Sequence, residues 1–140
     1  MRRDLGDGYE LDDDRARIDV DAVHAFLTEI YWAHGRSREQ VADQLASAWR
    51  VVGVYHGDEQ VGYARAISDG LTSAHLLDVY VLPEHRGHRL GLELCREICE
   101  GGEGRRLRWT LHTRDAHGLY RKLGFREPDD RLLERLPLDP

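Results

Sequence analysis

Residues 74–82 are apolar on both faces of an extended chain, apart from His75 and Asp78, and Pro83 ends the run. A strand of that kind must be covered on two sides, so it belongs in the middle of a sheet with other elements packed above and below it. Proline stops it because it has no N–H to give to the ladder. The rest of the chain supplies the neighbours. Two strand-like runs, residues 49–55 and 60–67, flank His56-Gly57-Asp58-Glu59 and read as a hairpin with a four-residue turn. A short strand is expected at 107–111, another near 9–12, and a last one in the tail, where Leu132, Leu133, Leu136 and Leu138 recur.

Helical spacing appears in four places. Asp19 reads as the N-cap of a helix through Val20, Val23, Phe26, Leu27 and Ile30. Ser37 with Gln40 makes a capping-box signal for a second helix, whose stripe is Val41, Leu45 and Ala48. Leu90, Leu94, Cys95, Ile98 and Cys99 mark a third, predicted to run from about residue 87 to 100. Thr113 or Asp115 caps a short fourth helix over 116–123, with Gly124 where a left-handed C-terminal cap belongs. The expected order is β, α, α, β, β, β, α, β, α, β. The class is α/β, a mixed sheet flanked by helices, formed as one domain over residues 1–140, with no internal repeat or linker.

Charge and cysteine usage narrow the function classes. A net charge of −6 argues against nucleic acid as the main partner and suits a cationic amine. No apolar run approaches the roughly 20 residues that span a bilayer, so no membrane partner is expected. Arg2 and Arg3 are followed by no apolar stretch, so no secretory signal is read and a cytoplasmic location is the expectation. Cys95 and Cys99 lie near His85 and His88, but a spacing of four inside a helix is not a zinc-binding turn. Buried free thiols and no metal are the better reading.

The chemistry concentrates where the buried strand meets the third helix: Val79, Tyr80, Val81, Leu82, Pro83, Glu84, His85, Arg86, Gly87, His88, Arg89, Leu90, Gly91. A helix N-terminus offers unpaired N–H groups and a positive dipole end to a phosphate. Gly87 lets the backbone approach an anion without a Cβ in the way, and Arg86 adds a permanent cation. On its own this is also what an ordinary strand–turn–helix with a charged corner looks like.

The whole string resembles the acyl-CoA-binding motif of the GNAT superfamily of N-acetyltransferases: Arg or Gln, two residues, Gly, one residue, Gly or Ala, after a strand ending in Val-x-Pro. Arg86 and Gly91 match, while Arg89 replaces the middle glycine. A second resemblance lies further along, where Ala116, Tyr120, Gly124 and Phe125 fit the pattern that the family places after its last short strand. Thr113 stands where the family often has Asn. Together the two imply a GNAT-like fold over about residues 8–138 and an enzyme moving an acetyl group from acetyl-CoA to a primary amine of a small molecule or peptide. Direct attack in a ternary complex is expected, since no activated cysteine is in view.

By that resemblance the cofactor is held by Val79, Tyr80, Val81, Arg86, Gly87, His88, Arg89, Leu90, Gly91, Thr113 and Ala116. Tyr120 would be the general acid at the leaving thiolate; a tyrosine packed in the core is the plainer alternative. Asp78 and His75 are the candidate bases, expected on opposite faces of the strand unless a bulge intervenes. Burial is expected to raise the Asp78 pKa. Tyr31, Trp32, His34 and Arg36 fall where the family covers its acceptor pocket, though they equally suit a helix boundary. Dimers are common in the family, so a homodimer is among the expectations. The competing reading is a non-catalytic acyl-CoA-binding or regulatory module with the same fold, for which Arg89 and Thr113 speak.

Overall fold

The computed structural model describes residues 1–30 and 35–139. Tyr31, Trp32 and His34 lie outside the described residues. Six strands form one sheet in chain order: β1 (Arg2–Gly6), β2 (Tyr9–Asp12), β3 (Arg50–His56), β4 (Glu59–Ser68), β5 (Ser73–Val81) and β6 (Arg108–Leu111). Every pairing is antiparallel except β5 with β6. The parallel pair is bridged by helix α3 (Leu90–Glu100), since parallel neighbours need a long crossover. Helices α1 (Val20–Ile30) and α2 (Arg38–Ser47) join β2 to β3, and α4 (His117–Arg121) follows β6.

The sheet is covered as the buried central strand requires. On one face Leu11, Val52, Val54, Ala64 and Leu76 pack against Leu90, Leu94, Cys95 and Ile98 of α3. On the other, Val51, Tyr63 and Tyr80 meet Val23, Phe26 and Leu27 of α1 and Val41 and Leu45 of α2. The Phe26 ring stacks on Tyr80 at 4.0 Å. Helix α2 begins with the reciprocal capping box of Ser37 and Gln40.

Four local expectations change. The N-terminus forms a β1–β2 hairpin rather than a single strand. Its outer member, Arg2-Arg3-Asp4-Leu5-Gly6, has the charged composition of a guarded sheet edge and shows no apolar alternation. The β3–β4 turn has two residues, with Gly57 at φ 62°. The tail forms no strand among the described residues: the Asp129 carboxylate accepts the Arg131 backbone N–H at 2.9 Å and turns the chain. Leu133, Leu136 and Leu138 are left exposed. A cavity of about 1170 Å³ opens there, along the free edge of β6.

Finally, α3 begins at Leu90 rather than near Gly87. Gly87 (φ 94°) and Arg89 (φ 62°) are both left-handed, which delays the helix by three residues. Arg89 is the N-cap and makes no side-chain capping bond. A left-handed non-glycine residue costs roughly 1–2 kcal/mol. Arg89→Gly is therefore expected to raise the unfolding free energy by about 1 kcal/mol, read from urea denaturation.

Candidate functional site

The site grows out of an asymmetry in β5. Its β4 side is paired from Ala74 to Val81, whereas its β6 side is paired only from Ser73 to Leu76. Beyond Leu76 and Leu111 the two strands part. Leu82 N–H donates to Val61 O at 2.8 Å, so by alternation the N–H groups of Val79 and Val81 point away from β4 into the gap. The carbonyl of Val81 accepts Arg86 Nε at 3.1 Å, which folds that side chain back along the gap.

The loop that closes the gap is firmly held. Its short 3-10 turn, Pro83–His85, is pinned by Tyr9, whose hydroxyl lies 2.9 Å from His85 Nδ1. Glu59 stands 3.3 Å from the other ring nitrogen of His85, and the His88 ring lies 5.0 Å from that of Tyr9. Arg86, Gly87, His88 and Arg89 are exposed, and nothing lies within 4 Å of the position a Cβ on Gly87 would take. Leu90 is buried beneath α3, and Gly91 faces Leu119 of α4 and Val81. On the opposite bank, Thr113 Oγ1 accepts the Ala116 N–H at 3.0 Å and starts α4. An open run of backbone donors, an unobstructed glycine, an arginine and the N-terminus of an eleven-residue helix suit an amide-bearing arm that ends in a pyrophosphate.

Tyr120 is 8% exposed and sits among the residues under α3. Its ring meets Phe125 edge-on at 5.6 Å. Burial, more than the neighbouring thiol, pushes its pKa well above the ordinary phenol range. Cys95 and Cys99 are buried free thiols. Burial raises the Cys95 pKa to about 12, against the opposing hydrogen bond with Tyr120. Neither is an activated nucleophile.

Asp78 departs from its expected role. A register shift sets Asp78 and Val79 opposite the single residue Ala64, and Asp78 takes φ 56°. This bulge carries Asp78 onto the α1–α2 face, where its carboxylate receives Arg65 Nε at 2.6 Å and both terminal nitrogens of Arg36 at 2.8 Å. Arg36 Nη1 also donates to Gln44 at 2.6 Å. Burial alone would raise the Asp78 pKa, but the two guanidinium groups outweigh it and hold the carboxyl below its ordinary range. The expected rise is overturned, and with it the case for Asp78 as the base.

The bulge also removes the expected separation of His75 and Asp78. Leu76 faces α3, so His75 faces the α1–α2 side, as Asp78 does. His75 Nδ1 lies 2.7 Å from Thr110 Oγ1 on β6. Burial first, then His112 and Arg65, lower the His75 pKa below its usual value, so the imidazole is neutral at pH 7. Arg65 was missed in the sequence. The available signal was an arginine inside the otherwise apolar run Val61-Gly62-Tyr63-Ala64-Arg65-Ala66-Ile67, beside a strand carrying one aspartate.

This geometry belongs to an acyl-transfer fold, and the relatives agree. A family model described as an acetyltransferase (GNAT) domain matches residues 47–127. The chain belongs to the GNAT family of acetyltransferases. It is similar to a candidate acetyltransferase of Gibberella zeae, at 30% identity over 85% of this chain and 80% of that one. It also resembles a peptidyl-lysine N-acetyltransferase of Salmonella typhimurium, at 32% identity over 79% and 71% of the two chains. Among solved structures, a candidate GNAT-family acetyltransferase from Xanthomonas campestris aligns with a TM-score of 0.85 at 33% identity, covering 92% of this chain and 93% of that one.

Because its folded-state pKa is lowered, Asp78 contributes stability that is complete above its unfolded pKa of about 4. That stability is lost as pH falls through the folded value. Asp78→Asn is expected to cost about 3 kcal/mol at pH 7, since it leaves two guanidinium groups without their carboxylate, and to flatten the acid limb of the stability profile. Urea denaturation from pH 3 to 7 checks both; a change under about 0.5 kcal/mol rules out the clamp as a stabilising contact.

Proposed function

We propose that this acetyltransferase takes its acetyl group from acetyl-CoA and passes it to a primary amine by direct attack, with both bound together. The observation that carries this reading is the parting of β5 from β6 after Leu76 and Leu111, beside Arg86, Gly87 and the start of α3. Val79 and Val81 would hold the cofactor arm through their N–H groups. Arg86, Gly87 and the first amides of α3 would hold its pyrophosphate, with Thr113 and Ala116 fixing the far bank. When bound, acetyl-CoA supplies an activated thioester. The burial of both cysteines supports direct attack over relay through an enzyme thiol.

His75 is the favoured proton acceptor. It is neutral at pH 7, and Thr110 orients its ring, leaving Nε2 to take a proton from the amine, directly or through water. Burial keeps Tyr120 protonated at neutral pH, and Tyr120 would give that proton to the departing thiolate. The likeness to a peptidyl-lysine acetyltransferase supports an amine acceptor, and a lysine side chain and a small-molecule amine both qualify.

The test is amine-dependent release of CoA from acetyl-CoA, followed against pH. Activity should fall as pH drops through the lowered pKa of His75, below about 6.5. His75→Gln should lose roughly 10²-fold in kcat and that acid limb with it. Tyr120→Phe should lose about 10²-fold in kcat while acetyl-CoA still raises the melting temperature. Stabilisation by acetyl-CoA with no turnover of any amine would point to the non-catalytic module instead.

A further inference from the structure

Two guanidinium groups and one carboxylate meet on the α1–α2 face of β4 and β5: Arg36 and Arg65 around Asp78. Asp78 accepts three hydrogen bonds from the two guanidinium groups. Arg65 is only 7% exposed, and its single hydrogen bond runs from Nε to Asp78. Among the described residues nothing accepts from its Nη1 or Nη2, and neither atom is sealed from solvent. A buried guanidinium whose two terminal nitrogens give to no described residue is an unfinished site, because N–H groups taken out of bulk water need acceptors.

The position of this fork gives it meaning. Arg65 pairs with Leu77, the first residue of β5 past its contact with β6. His75, whose proton affinity Arg65 lowers, lies two residues before Leu77 on the same face. Two positions along a strand span about 7 Å, the length of a small molecule with an amine at one end and an anion a few bonds away. The planar fork fits a carboxylate by two parallel hydrogen bonds.

Resting on the proposed transfer to an amine, we infer that Arg65 anchors a carboxylate on the acceptor, so that the substrate is a small amino acid-like amine and not an uncharged amine or a lysine side chain within a peptide. Arg36 and Asp78 are positioning residues here: they fix the guanidinium of Arg65 through Nε and leave its other edge to the ligand.

The test compares a panel of free amino acids with the matching amino amides, and with an internal lysine in a peptide blocked at both ends, under saturating acetyl-CoA. The inference expects kcat/KM for the best amino acid to exceed that for its amide by about tenfold or more, because the amide offers the fork one uncharged acceptor oxygen in place of two charged ones. In Arg65→Gln the ratio should collapse toward unity. In Arg65→Lys, which keeps the charge and loses the fork, it should be intermediate. Amides or the blocked peptide used as well as free amino acids would overturn the inference and leave the transfer reading standing. So would an unchanged ratio in Arg65→Gln, with melting temperature and acetyl-CoA stabilisation confirming that the variant folds. No CoA release with any amine would remove the transfer reading, and this inference with it.

Discussion

Strand β5 is held along its whole length by β4 and for only four residues by β6. Most of the architecture answers to that imbalance. A central strand buried on both faces cannot leave backbone donors unpaired without cost, and the gap beyond Leu76 exposes them in a row. The chain tolerates the gap because the Asp78 bulge bends β5 away there and α3 begins at the same end, so the opening lies between elements held firmly elsewhere. The site is thus a defect in the sheet, positioned by the parts of the sheet that are regular.

The bulge needs its own support. A left-handed aspartate persists only when its surroundings over-determine it, and Asp78 is fixed by Arg36 and Arg65 together. The clamp does more than hold the backbone. Through Arg36 and Gln44 it ties the segment before α2 to the middle of the sheet. Through Arg65 it places positive charge near His75, adding to the burial that keeps the imidazole unprotonated. Through Arg65, the clamp thus bears on the charge state of His75, the proposed base.

What the sequence disclosed divides along the same lines. Features governed by a few neighbouring residues were legible: the Pro83 stop, the Ser37–Gln40 capping box and the left-handed Gly124. The two-faced burial of β5 was legible because it requires a continuous apolar run. The β1 strand was not, since an edge strand carries no such run. The tail leucines suggested a strand, but local acceptance by the Asp129 carboxylate competes with pairing to β6. The pKa of Asp78 was misread because burial was visible in its apolar neighbours, whereas its partners come from β4 and from the start of α2. Non-local charges decide such a value, and Arg65 and Arg36 are 13 and 42 residues away.

Arg89 shows how a motif departure should be weighed. Its φ of 62° accounts for a glycine at this position in the resembling motif: the requirement is on the backbone dihedral and not on volume, because the Arg89 side chain is exposed. The arginine adopts the same turn at a cost in stability. Its carbonyl still accepts the Glu93 N–H at 3.1 Å, so the first turn of α3 closes as it would with glycine. The amides at the start of the helix keep their direction, and the substitution adds a cation beside them. The visible consequence of the arginine is thus a cost in folding energy, with the first turn of α3 intact.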